Sequence, residues 1–137
     1  MNFIAIIVAA VAAFIIGFLW HGPLFGKLWM QLANIHPTGK EKLVDMWKQM
    51  VSNMVSNLVI AFVLSGTFML VFTSTYMGEA SVFRGAICAA WLWFGFVVTA
   101  TSMDVIWMGK SWKLWLFEIA CSFVSLVAMG AIIGAWM

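Results

Sequence analysis

The sequence predicts an all-α fold, an integral membrane bundle of four transmembrane helices forming a single membrane domain over residues 1–137. Three observations predict it. Of 137 residues, 65% are hydrophobic and 9% charged, whereas a soluble domain carries about 25% charged and about 45–50% apolar residues. A soluble fold of this length cannot hide so much apolar surface, so the surrounding solvent is lipid. The apolar residues also gather into four runs, near Phe3–Trp20, Met50–Phe72, Val82–Met103 and Leu114–Trp136, each close to the roughly 20 residues that cross the hydrocarbon. The runs are continuous rather than alternating and contain no proline, which selects helices over a barrel.

The first run follows Met1 and Asn2 directly, with no Lys or Arg before it. A secretory signal would carry a charged leader and a cleavage site after a shorter apolar stretch. Phe3–Trp20 therefore reads as a retained first span. Residues 21–49 form the long first connection and hold both prolines, Pro23 and Pro37. Pro23 to Leu32 is expected to lie at the membrane surface, with Leu24, Phe25, Leu28 and Trp29 toward the lipid. Thr38-Gly39-Lys40-Glu41 has the form of a capping box, which starts the second helix near Gly39. A helix from Gly39 to Phe72 is roughly 50 Å long at about 1.5 Å per residue, so its first turns stand in the interface. Between the third and fourth spans, Gly109 suits a helix C-terminus and Ser111 an N-cap.

Lysine placement orients the chain. Lys27, Lys40, Lys42 and Lys48 lie in the first connection, and Lys110 and Lys113 flank the third. The second connection and both tails carry no Lys or Arg, and Arg84 lies just inside the third span. The first and third connections are expected in the cytoplasm, with both termini outside. Trp20, Trp29, Trp47, Trp107, Trp112 and Trp115 flank the same two connections and suit an interfacial belt. The net charge of +2 is too small to argue for a nucleic-acid partner. The expected surroundings are the bilayer, with further copies of the chain or other membrane subunits.

Ionisable residues at membrane depth are functional candidates because they are expensive to place there. His21 closes the first span, Asp104 lies near the end of the third, and Glu118 is inside the fourth. Asn53 and Asn57, four residues apart, share one face of the second helix. Depth along antiparallel helices puts all five at the cytoplasmic end, where they would form a polar pocket, His21, Asn53, Asn57, Asp104 and Glu118. Two carboxylates in low dielectric would share a proton or a cation; Lys27 or Lys110 could supply that charge instead and make the cluster a structural ion-pair network. Small and weakly polar stripes lead to these residues: Ala9, Ala13, Gly17 and His21; Cys88, Gly95, Thr99 and Ser102; Glu118, Ser122 and Ser125. Such stripes also serve plain helix packing.

Gly130 and Gly134 form a G-x-x-x-G pair, expected to offer a packing face to a neighbouring copy. Met46, Met50 and Met54 recur every four residues and could present thioethers to Cu(I), although eleven methionines in so apolar a chain more simply fill gaps. Trp91 and Trp93 sit mid-span, where they could wall a pocket, face lipid or pack between helices. Cys88 and Cys121 lie in apolar runs without metal or redox spacing and read as small hydrophobes. No metal motif, nucleophile triad, phosphate-binding loop or haem-attachment motif is present, so neither an enzyme nor a cofactor is expected. A Trp-x-Gly followed by Lys-Leu-Trp occurs at Trp20–Trp29 and again at Trp107–Trp115, an echo of the kind left by parallel repeats or by chance.

The stretch Trp20-His21-Gly22-Pro23-Leu24-Phe25-Gly26-Lys27-Leu28-Trp29 resembles the W-x-G-P-L-F-G-K-x-W signature of a bacterial membrane family, the domain of unknown function seventeen-sixty-one. Gly109-Lys110-Ser111-Trp112-Lys113-Leu114-Trp115 and the closing Met129–Trp136 stretch are similar to its last third. The resemblance covers essentially the whole chain. It implies four helices in the bacterial inner membrane and brings no established activity. Glu118 departs from it, standing where that family often has a neutral Asn, so a role for Glu118 need not extend to other members. The expectation is a small polytopic protein of transporter-like design, handling a proton, cation or small solute in a cytoplasm-facing pocket. The alternative is a non-catalytic subunit or scaffold of a larger membrane assembly.

Overall fold

Asn2 starts the first helix: its side-chain oxygen accepts from the backbone N–H groups of Ile4 and Ala5 at 3.1 and 3.3 Å, pairing two donors that a helix start leaves open. The computed structural model describes residues 1–34, 47–72 and 78–137. These form α1 (Phe3–Leu19), α2 (Gly26–Ala33), α3 (Trp47–Phe72), α4 (Val82–Leu92), α5 (Thr99–Met108) and α6 (Trp112–Ala135). The fold is all-α, and four stretches are long and apolar enough to cross a membrane: Phe3–Leu24, Trp47–Phe72, Val82–Met108 and Trp112–Ala135. The capping box at Thr38–Glu41 and a helix start near Gly39 lie outside the described residues.

Local chemistry explains each break. α1 passes through one wide, π-helical turn at Trp20–Leu24, where Gly22 leaves helical geometry (φ −119°, ψ −107°) ahead of Pro23. The chain then turns into α2, which ends at Asn34 in the left-handed conformation (φ 57°). The third span joins α4 to α5 through a second π-helical stretch, Trp93–Val98. α5 ends at Gly109, whose φ of 70° suits a residue without Cβ. Ser111 stands at the N-cap of α6 but makes no side-chain capping bond.

α1 and α6 form the middle of the bundle, with α3 packed on α1 and α4 packed on α6. The half of the bundle toward the start of α1 and the end of α6 is close-packed. Its core joins Ala9, Ala10, Leu64, Phe68, Ala89, Met129 and Ile133, and small residues let the backbones approach. On the α4–α6 seam a Cβ at Gly85 would strike the Gly130 carbonyl, and one at Gly134 would strike the Ser81 carbonyl. Gly130 and Gly134 thus pack against α4 of the same chain. The face expected to meet a neighbouring copy is already covered, because α4 brings a glycine of its own to it.

Toward the other end, where α3 and α6 begin, the helices splay. α3 touches α6 only sparingly and forms no packed pair with the third span. The hydroxyl side chains of that span donate to its own backbone carbonyls. Thr99 and Thr101 donate to the carbonyls four residues back, both at 2.6 Å, as hydroxyls in membrane helices commonly do. Two tryptophans tie the span to α6. The Trp93 indole N–H donates to the Ile119 carbonyl and the Ser122 hydroxyl, both at 3.0 Å, and the Trp115 indole donates to Thr101 at 2.9 Å. Trp93 is therefore a packing residue, whereas Trp91 is 76% exposed.

Candidate functional site

The splayed half encloses a cleft of about 610 Å³, a size typical of small-molecule sites. α1 forms its floor through Ala13, Gly17 and His21; α3 supplies Gln49, Asn53 and Asn57; α6 supplies Glu118, Ser122 and Ser125. Its lining is graded along the membrane normal. Gln49, Asn53, His21 and Glu118 lie toward the end where α3 and α6 begin, while Ile60, Leu126 and Met129 lie deeper. From Glu118 to Met129 the wall rises roughly 16 Å at about 1.5 Å per residue. Asn57 of α3 and Val97 of the third span both border the cleft, although these two spans form no packed pair among the described residues.

Four of the five pocket candidates, His21, Asn53, Asn57 and Glu118, line this cleft. The His21 ring nitrogen Nδ1 lies 3.0 Å from the Gly17 carbonyl. A carbonyl can only accept, so Nδ1 carries the proton in this contact. The ring is held edge-on by Trp29 and Phe117, at centroid distances of 5.1 and 5.7 Å. The Asn57 amide donates weakly to Asn53 Oδ1 at 3.5 Å, which gives the α3 face a continuous amide edge.

Glu118 accepts from the Lys110 ammonium at 3.2 Å, and the two side chains are 41% and 28% exposed. A pair this exposed contributes at most about 1 kcal/mol. Lys110 reaches over from the α5–α6 turn and is not itself part of the lining.

Asp104 does not join the cluster. It is exposed on α5, and among the described residues its carboxylate has no salt-bridge partner. The cause is the π-helical stretch, in which a turn takes one residue more than an α turn. In an unbroken α-helix Asp104 would follow Trp93 by eleven residues, about three turns, and would share its inward face. The added residue gives that place to Val105, which is 8% exposed. Gly95 and Thr99, from the same expected stripe, are exposed as well.

The expectation that Trp29 faces lipid also needs correcting. Trp29 lines the cleft, because the break at Gly22 folds α2 back over the bundle end, whereas Phe25 meets Trp20 and Phe117 at centroid distances of 4.8 and 6.2 Å and stays 40% exposed. Gln49 was not singled out from the sequence, although it precedes Asn53 by one helical repeat of four and shares its face. Among the described residues no three His, Cys, Asp or Glu side chains gather closely enough to hold a metal ion. Met50 lines the cleft, and Met46 lies outside the described residues.

A second depression, of about 650 Å³, lies at the opposite end, between the start of α1 and the end of α6. It offers little chemistry: Asn2 is occupied in capping α1, and Ser65 is buried. The cleft is the better candidate site.

No curated protein and no solved structure matches the chain. A family model matches residues 4–134, nearly the whole sequence, and its description is a protein of unknown function. A chain of four apolar spans that matches this model along almost its entire length belongs to that family, DUF1761.

Proposed function

We propose a non-enzymatic role of transporter-like design, in which a proton, cation or small solute is taken up in the cleft from the cytoplasm. In this reading the protein sits in a bacterial inner membrane with both termini outside, and the lysine-bearing connections face the cytoplasm. The observation that carries it is the division of the bundle into a close-packed half and a splayed half around a cleft of about 610 Å³ whose polar side chains gather at one end. Intramembrane polar side chains facing one cavity are the usual furniture of a solute path.

Solid-supported-membrane recording on proteoliposomes tests it. A jump in solute or proton concentration should give a transient current with the wild type and none with Glu118→Gln. Silence from the wild type across a broad solute panel would count against transport.

A second reading, a subunit or scaffold of a larger membrane assembly, draws on a different observation. Glu118 is already paired with Lys110, and the outward face of the third span, with Phe94, Phe96, Ile106 and Trp107 exposed, would suit a neighbouring subunit or a second copy as well as lipid. Native co-purification of a stoichiometric partner would favour it.

A further inference from the structure

We propose that the ligand of the cleft is a lipophilic organic cation whose charged head displaces the Lys110 ammonium from Glu118. The proposal rests on the reading of the cleft as a solute site and names the chemistry that site selects.

Size and lining come first. A space of about 610 Å³ is far larger than a bare ion fills, and a desolvated inorganic cation would seek several oxygen ligands. Here one carboxylate faces neutral amides and hydroxyls across a wide space, and among the described residues no three His, Cys, Asp or Glu side chains gather to hold such an ion. An organic molecule fits both the volume and the largely apolar walls of Phe14, Phe18, Ile60 and Met129.

Charge comes second. Among the described lining residues Glu118 is the one side chain with a formal charge of its own, so it is the group that would draw a positive head. Its partner in the free protein is itself an ammonium, held by one exposed contact of 3.2 Å. Replacing one cation by another leaves the carboxylate paired throughout and avoids the penalty of a bare charge. The Trp29 ring beside the polar end adds a face on which a cation is attracted.

Access comes third. Asn57 and Val97 border the cleft on the side where α3 and the third span form no packed pair among the described residues, and an amphiphile would enter there from the bilayer. Polar groups stand at the lysine-bearing end and apolar ones deeper, the same gradient such a molecule adopts in a leaflet.

Equilibrium dialysis of the full chain in nanodiscs, with empty nanodiscs as the blank, tests this. The probes are radiolabelled tetraphenylphosphonium and, as a neutral molecule of similar shape, triphenylphosphine oxide. Saturable phosphonium binding should weaken about fivefold in Glu118→Gln, the effect of losing an exposed ion pair worth about 1 kcal/mol. It should strengthen several-fold in Lys110→Ala, where the internal competitor is gone. Equal binding of both probes, unaffected by Glu118→Gln, would overturn the cation assignment and leave the cleft as a solute site. Saturable binding of neither probe would overturn the assignment together with the solute-site reading. If Glu118→Gln fails to fold, Lys110→Ala decides alone: tighter binding supports the proposal, and unchanged or weaker binding overturns it.

Discussion

Gly85 and Gly130 lie backbone against backbone across the α4–α6 seam, so close that a Cβ on either would run into the other's carbonyl oxygen. The obstruction is main chain at Gly85, and main chain with the rigid Ala89 Cβ at Gly130, so no flexible side chain can give way.

Gly130→Leu should therefore destabilise the folded monomer rather than alter its association. Overpacking a tight site costs about 1–3 kcal/mol, and here backbone must move, so the upper part of that range is expected. Thermal melting in mild detergent reads it out. Gly17→Ala is the control: no atom lies within 4 Å of its added methyl, and its melting point should hold or rise.

Trp93→Phe keeps most of the ring and removes the N–H that reaches Ile119 and Ser122. A loss of about 0.5–1.5 kcal/mol is expected. Trp91→Phe, at a ring 76% exposed, should stay within about 0.5 kcal/mol of the wild type. Equal effects of the two changes in the same melting assay would contradict the packing role given to Trp93.

The Trp115–Thr101 hydrogen bond can be isolated by a double-mutant cycle with Trp115→Phe and Thr101→Val. A coupling near 0.6 kcal/mol, and at most about 1.7, is expected from comparable bonds in membrane bundles. Strict additivity would mean that the bond adds nothing to stability.

Asp104 and Val105 should respond in opposite senses. Asp104→Asn removes an exposed charge and should leave both melting and phosphonium binding unchanged. Val105→Asp places a carboxylate on the inward face and should cost about 2.5–3.5 kcal/mol, measured by the same melts.

Orientation has a direct test on a chain whose Cys88 and Cys121 are replaced by alanine. A cysteine at Glu79 should react with an impermeant maleimide in intact cells, and one at Ser111 only after permeabilisation. The reverse pattern would invert the proposed topology.

The spans were legible because lipid imposes a length and a composition that ordinary counting detects. The gathering of His21, Asn53, Asn57 and Glu118 was legible for a related reason: depth along a helix follows from position in the sequence. Azimuth is different. It accumulates with every residue, so a single π-helical turn was enough to turn Asp104 outward while leaving its depth unchanged. The partner of Gly130 was hidden for another reason. A G-x-x-x-G pair shows that something approaches closely, but whether the visitor is another copy or the chain's own Gly85 depends on tertiary packing. Trp29 was misread because the turn at Gly22 and Pro23 redirects the segment that carries it.

Within Trp93–Val98 the third span holds one residue more than an α-helix of equal height requires. Chain length in this stretch therefore governs which side chains α6 meets, independently of which side chains are present. Gain of a single codon between Phe94 and Val98, with the wide turn kept, would turn everything downstream by about 100°. Asp104 would then take the place of Val105, and a carboxylate would join Glu118 on the same side of the bundle. A one-residue insertion in this span could thus exchange a protein with one inward carboxylate for one with two, with no substitution anywhere in the chain.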